Sequence, residues 1–196
     1  TGPGGGKIFY VASAPFSCGP TLNLSCSFLE VAPTGWNGGS DPGKAWAVPA
    51  YQGTDVVGIT NDNPPYLNAL GLGLGYKDSM AIVAQNGIYN ASSNNYAAGA
   101  ARAHTGGSKS DWYLPSSAEL NLLCQWGRNV TQNVSTMCTG GALNTGTGAS
   151  GGFVDNYYWS SSELNAGLAW FQDFDNGYQS NNNKGWGRNV RPVRAF

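Results

Sequence analysis

Apolar and polar residues alternate in short runs along this chain, and long stretches of Gly, Asn, Ser and Thr separate the runs. Residues 7–12 (KIFYVA) and 28–33 (FLEVAP) predict two early strands. Residues 156–163 (NYYWSSSE) predict another, and 168–180 (LAWFQDFDNGYQS) a hairpin with Asp175-Asn176-Gly177 at its turn. The last nine residues, RNVRPVRAF, predict a closing strand. Pro192 removes a backbone donor from it and so places it at an edge or on a bulge.

Helical spacing is rarer. Residues 80–87 (MAIVAQNG) read as the beginning of a helix, and 94–106 as an Ala-rich helix closed by Gly106 after His104. The strongest signature is DWYLPSSAELNLLCQWG at 111–127. Ser116 and Glu119 form a capping box after Pro115, Leu120, Leu123 and Cys124 share a face, and Gly127 ends the helix. Between 129 and 152 only a long polar loop is expected, and Trp36 and Trp46 are expected to anchor the turn-rich stretch 34–66. TGPGGG at 1–6 reads as a flexible leader or as the end of a collagen-like stalk, with residues 7–196 as a single domain.

Composition sharpens this picture. A chain of 196 residues, 41% hydrophobic, fits one domain with a real core. Only 11% of its residues are charged, far below the usual ~25%, so amides and hydroxyls meet the water instead. No apolar run reaches ~18 residues, which argues against membrane insertion. The net charge of −1 and a sequence pI near 5.6 argue against nucleic acid as partner. Four cysteines allow three pairings, and Cys18–Cys26 with Cys124–Cys138 is preferred because each closes a short local loop. That choice implies an oxidising, extracellular setting at the cell surface or after secretion; the alternative is four buried thiols.

Charge is also unevenly distributed. Six cations against eleven acids leave residues 1–175 at −5, whereas the last twenty-one residues carry +4 through Lys184, Arg188, Arg191 and Arg194.

Six motifs in fixed order carry a resemblance to a known family: GGKIFYV, LEVAPTGWNGG, AARAHTGGSKSDWYLPSSAELNLL, YWSSSE, AWFQDFDNG and VRPVRAF. The chain resembles a bacterial family whose name records only unknown function and whose fold is C-type-lectin-like. The resemblance implies an α+β architecture: a twisted antiparallel sheet, two flanking helices, paired terminal strands, and long loops that recognise ligands. With the Gly-Pro start, it also implies a homotrimeric surface head that follows a collagen-like stalk and binds sulfated glycosaminoglycans. The sequence departs from calcium-dependent lectins, having neither a Gln-Pro-Asp or Glu-Pro-Asn triplet nor Trp-Asn-Asp. NDNPPY (61–66) and DFDNG (173–177) lack the spacing of a calcium loop, so no metal and no cofactor is expected.

Catalysis has little to work with. His104 is the single histidine and sits where it can cap a helix, and paired cysteines leave no thiol nucleophile, so an enzyme is not expected. Recognition falls to the cations. Arg191 and Arg194 are expected to pair internally with acids such as Asp173 or Glu163. Lys184 and Arg188 flank Trp186 in a Gly-rich loop, beside Asn181, Asn182, Asn183 and Tyr178, and are expected to contact a heparin-like polysaccharide. Arg102 and Lys109, with His104 and Arg128 nearby, form a second basic group. The competing expectation is a protein-binding or purely structural trimerising cap, with no catalytic residues in either case.

Overall fold

The computed structural model describes residues 1–60, 71–146 and 151–196. It is an α+β structure with two sheets. The first sheet has the order β1 (Lys7–Cys18), β2 (Leu24–Val31), β8 (Val193–Ala195). The second has the order β3 (Gly43–Lys44), β7 (Arg188–Asn189), β4 (Tyr157–Asn165), β5 (Leu168–Asp173), β6 (Gln179–Asn183). All pairings are antiparallel except β4 with β7, which meet at Tyr158 and Asn189.

The terminal strands share a sheet, but they do not pair directly as expected. β2 lies between them, bonded to β1 on one side and to β8 on the other through Leu29↔Ala195, Glu30↔Arg194 and Val31↔Val193. The physical reason is local: β1 and β2 form a hairpin stapled by Cys18–Cys26, which leaves the outer side of β2 for the last strand. β1 is also longer than its apolar run predicts. It accommodates Pro15 through a register shift between Val11 and Phe16.

The predicted closing strand is two strands. β7 belongs to the second sheet, β8 to the first, and the chain crosses between them at 190–192. Pro192 sits in the crossing, where its missing N–H costs no ladder bond and its carbonyl accepts from Ala32 N.

Three α-helices are described: α1 (Gly75–Asn86), α2 (Ala97–Arg102) and α3 (Ser117–Gly127). The run MAIVAQN is thus the end of α1 rather than its beginning. In α3 the capping box forms as the sequence predicts. Ser116 Oγ accepts from Glu119 N, and the Glu119 carboxylate accepts from Ser116 N at 2.8 Å. α3 is buried on nearly every side, not on one stripe. Its Asn121 and Gln125 therefore hold the polar loop beyond it, through Thr136 O, Asn133 O and Cys138 N, and Cys124–Cys138 closes the same loop. Both cysteine pairs are the ones the spacing favours.

Two apolar clusters fill the interior. One packs α3 against the first sheet (Leu120, Leu123, Phe9, Leu29, Val193). The other packs α1 and α2 against β4 and β5 (Ile82, Tyr96, Ala101, Trp159, Phe171). Neighbouring residues of β4 belong to different clusters, Tyr158 to the first and Trp159 to the second, as strand alternation dictates.

Residues 1–6 pack onto the first sheet. Gly2, Gly4 and Gly6 are buried while positions 1, 3 and 5 are exposed, a period of two rather than collagen's three. The buried Glu30 carboxylate accepts from Gly4 N at 3.0 Å and Gly6 N at 2.7 Å. A Cβ at Gly4 would lie 2.4 Å from the Trp112 ring, and one at Gly6 would lie 2.0 Å from Val31 O. Glycine stands there because the strap presses directly on the first sheet.

Candidate functional site

Three of the four tail cations are consumed inside the fold. Lys184 is fully buried; its ammonium contacts the Glu163 carboxylate, donates to Thr54 O at 2.9 Å, and lies 4.9 Å from the Trp46 ring centre. Glu163 also accepts from Val56 N. Burial raises its carboxyl pKa, opposed by the hydrogen bond and charge of Lys184. Arg191 grips Asp41 with two hydrogen bonds, Nε at 2.6 Å and Nη2 at 2.7 Å, and also donates to Gly152 O. Tyr158 donates its hydroxyl to the same Asp41 at 2.7 Å; burial, reinforced by the Asp41 charge, pushes that phenol far above its usual range. Arg194 reaches Glu30 at 3.0 Å and holds Asp111 with both Nε and Nη2.

Internal pairing of Arg191 and Arg194 is therefore right, but the partners are not those expected. Glu163 goes to Lys184, and Asp173 caps its own turn by accepting from Asp175 N and Asn176 Nδ2. Lys184 must be withdrawn from the contact set. It stands at the end of β6, where the chain turns inward so that its backbone carbonyl accepts from Trp46 N and its side chain follows.

The second basic group is not a patch. Arg102 donates to Ser110 O and Trp112 O and stacks 4.4 Å from the Tyr76 ring centre. Arg128, 8% exposed, is spent on the carbonyls of Gly140, Gly141, Phe174 and Asp175. Lys109 is half-buried beside Asp111. His104 makes no capping bond among the described residues; it packs 4.9 Å from the Trp112 ring and 5.4 Å from that of Trp36.

Arg188 is different. Its guanidinium lies 4.7 Å from the ring centre of Tyr157, 5.2 Å from Phe171 and 5.7 Å from Trp186. Among the described residues its one hydrogen bond is a 3.3 Å contact with the neighbouring Gly187 carbonyl, Nε finds no partner, and no carboxylate pairs with it. Directly across the β3–β7 ladder stands Lys44, half-exposed and also unpaired among the described residues. Like charges opposed across a ladder repel by a few tenths of a kcal/mol or more, and an anion between them relieves the repulsion.

Exposed rings lie against Arg188, Trp186 at 60% and Tyr157 at 39%, and Tyr178 at 54% stands on the same face farther across the sheet. Strand alternation explains the grouping. Tyr157 is opposite Asp173, which is opposite Tyr178; two residues along, Phe171 is opposite Ser180. The Asn run divides: Asn182 shares the Arg188 face, Asn181 takes the other, and Asn183 shapes the turn by accepting from Gly185 N and Trp186 N. Tyr178 and Asn182 thus share the face of Arg188 from the far strand, and Trp186 alone of the three stacks on its guanidinium. Lys184, Asn181, Arg102 and Lys109 do not join them. Lys44 and Tyr157 are the residues sequence reasoning missed. A two-residue strand leaves no periodic trace, and three successive aromatic residues at 157–159 do not mark which of them is exposed.

Among the described residues no group of three or more His, Cys, Asp or Glu side chains could hold a metal ion. NDNPPY at 61–66 lies outside the described residues. Among the described residues no helix is long and apolar enough to cross a membrane.

No curated protein matches the chain. The profile of the Lcl C-terminal domain, named for a Legionella collagen-like protein, matches residues 71–194. That span holds α1 to α3 and β4 to β7, and it covers well over half of the chain, which therefore belongs to the Lcl C-terminal domain family.

Proposed function

We propose that this domain is the adhesin-like cap of a collagen-like surface protein, located outside the cell, and that it binds sulfated glycans on the Arg188 face. The observation that carries the reading is the pair Arg188–Lys44: two cations opposed on one ladder, unpaired with acids among the described residues, within a rim of exposed aromatic rings. A sulfate between them relieves their repulsion, and the Trp186 and Tyr178 rings offer apolar faces to sugar rings. Membership of the Lcl family supports the surface setting. The α+β architecture, with its terminal strands in one sheet, is compatible with a C-type-lectin-like fold, which we take as the finer assignment.

Two half-exposed cations give weak binding alone, at roughly 0.5–1 kcal/mol per contact. A trimeric head engaging one polyanion gains roughly 10²–10⁴-fold through avidity. The domain acts by binding and not by catalysis: all four cysteines are in disulfides, and the single histidine is stacked against indoles. The test is elution from a heparin column. Arg188→Ala with Lys44→Ala should elute at lower salt, with a shallower dependence of affinity on salt. Unchanged elution of a folded double variant sinks this reading.

A second reading, a cap that contacts protein, is favoured by one observation. Val57 and Ile88 are 92% and 91% exposed beside the outer face of α1. Contact through that face should persist at high salt, whereas sulfate recognition fades.

A further inference from the structure

A cleft of about 250 Å³ opens between the turn at 35–38 and the end of α2, away from the residues that hold Arg188. Trp36 and Tyr89 supply ring surface, and Asn37 and Thr105 stand at the rim. Buried Ala100 and exposed Ala103 also line it, with side chains too small to fill it.

Three features mark it as built to hold something. First, Trp36 is preorganised. Its Nε1 donates to Asp41 at 3.0 Å, and Asp41 is itself fixed by Arg191 and Tyr158. With the polar edge of the indole directed inward, its ring surface is left for the cleft. His104, whose pKa is lowered by burial so that the ring stays neutral, packs edge-on against the indole at 5.4 Å and 76°. Second, the turn carrying Trp36 is bracketed by Gly35 at φ +82° and Gly38 at φ +80°. A Cβ at either glycine meets nothing within 4 Å, so backbone shape and not crowding requires glycine there. Third, the Asn37 amide and the Thr105 hydroxyl are exposed and make no hydrogen bond among the described residues. Among the described residues no acid, Lys or Arg lines the cleft.

An immobilised ring, a free amide and a free hydroxyl in an uncharged setting match one chemical class: a neutral pyranose, with an apolar face for stacking and hydroxyls for the rim. The volume is below the ~300 Å³ of pockets for drug-sized molecules, so it takes a single ring. We infer that the Trp36–Tyr89 cleft is a subsite for one uncharged hexose, separate from the cationic Arg188 face. It does not depend on sulfate recognition, because its ligand carries no charge.

The test is titration of the ¹⁵N-labelled domain with neutral monosaccharides: glucose, galactose, mannose, N-acetylglucosamine and N-acetylgalactosamine. Amide shifts and tryptophan fluorescence report binding. At least one sugar should give saturable shifts centred on residues 35–38 and 103–105, unchanged by added salt. Ala103→Leu, which fills the cleft from an exposed position, should abolish them. Asn37→Ala with Thr105→Val should weaken the affinity roughly tenfold, about 1.4 kcal/mol. Trp186→Ala, which does not line the cleft, should leave the hexose titration as it was. No saturable shift with any of the five sugars overturns the inference. So do shifts centred on Trp186 and Tyr157, and so does binding that survives Ala103→Leu in a folded protein.

Discussion

Lys184 and Arg188 lie four residues apart in the same Gly-rich loop, and the fold treats them oppositely. Lys184 is sealed from water against Glu163 beneath Trp46. Arg188 sits among aromatic rings with Lys44 opposite and no acid paired to it among the described residues. The difference teaches that a cationic tail on an acidic chain need not be an interaction surface. Three of its four charges close the structure against acids that lie far back in the sequence: Asp41, Glu30, Asp111 and Glu163. Only what is left over can recognise a polyanion.

The sharpest way to break the comparison is to neutralise each cation in turn. Lys184→Met strands a buried Glu163 carboxylate and should cost about 3–5 kcal/mol in urea denaturation. Adding Glu163→Gln should recover part of that loss. If Lys184→Met is stable and binds heparin less well, the assignment of the two cations is reversed.

Next in size is a pH effect from acids with opposite surroundings. Glu119 is fully buried, and burial pushes its carboxyl up to about 7 despite hydrogen bonds from Ser116 N, Tyr113 and Gly73 N. A raised folded value means its contribution is fully present below the unfolded value near 4.5. That contribution is lost as pH rises through about 7, on the order of 3 kcal/mol in all. Asp111 has the opposite sign. Burial pushes it up, but the hydrogen bond and charge of Arg194 outweigh this and hold its carboxyl below the usual range. Its contribution is lost on the acid side, as pH falls below about 4. Denaturation midpoints between pH 5 and 8 should therefore decline, and Glu119→Gln should flatten that slope.

The N-terminal strap gives a smaller, steric test. Gly6→Ala places a methyl against Val31 O and should cost about 1–3 kcal/mol, read as a lower thermal midpoint. A neutral result would mean that the strap is loosely held and does not belong to the folded unit.

Smallest in stability, and largest for binding, is Arg188→Ala. It loses cation–π contacts worth about 1 kcal/mol and relieves the repulsion from Lys44, so the midpoint should barely move while heparin elution shifts. Loss of stability on the scale of Lys184→Met would turn Arg188 into another structural cation.

Local signals in the chain were reliable where the structure depends on neighbours in sequence. The Ser116–Glu119 capping box, the hairpin turn at 175–177 and the two short disulfide loops all stand as the residues predict. These features require only residues a few positions apart, and their chemistry is specific. Where the fold depends on distant partners, the reading was incomplete. RNVRPVRAF looks like one strand, but its two halves bond to strands as far back as residues 43 and 29. Of the candidate site, Trp186, Arg188, Tyr178 and Asn182 were legible, because a Gly-rich loop of aromatic and basic residues is unusual on its own. Lys44 was not, since a Gly-Lys dipeptide amid turns carries no sign of what it will pair with.

By itself the sequence determined an α+β domain rich in turns, closed by two disulfides, with more cations at its end than its total charge suggests. The tertiary structure alone decided which of those cations face water. A charge is neutralised by whatever lies a few ångströms away, and strand pairing across more than a hundred residues sets that proximity, not position along the chain.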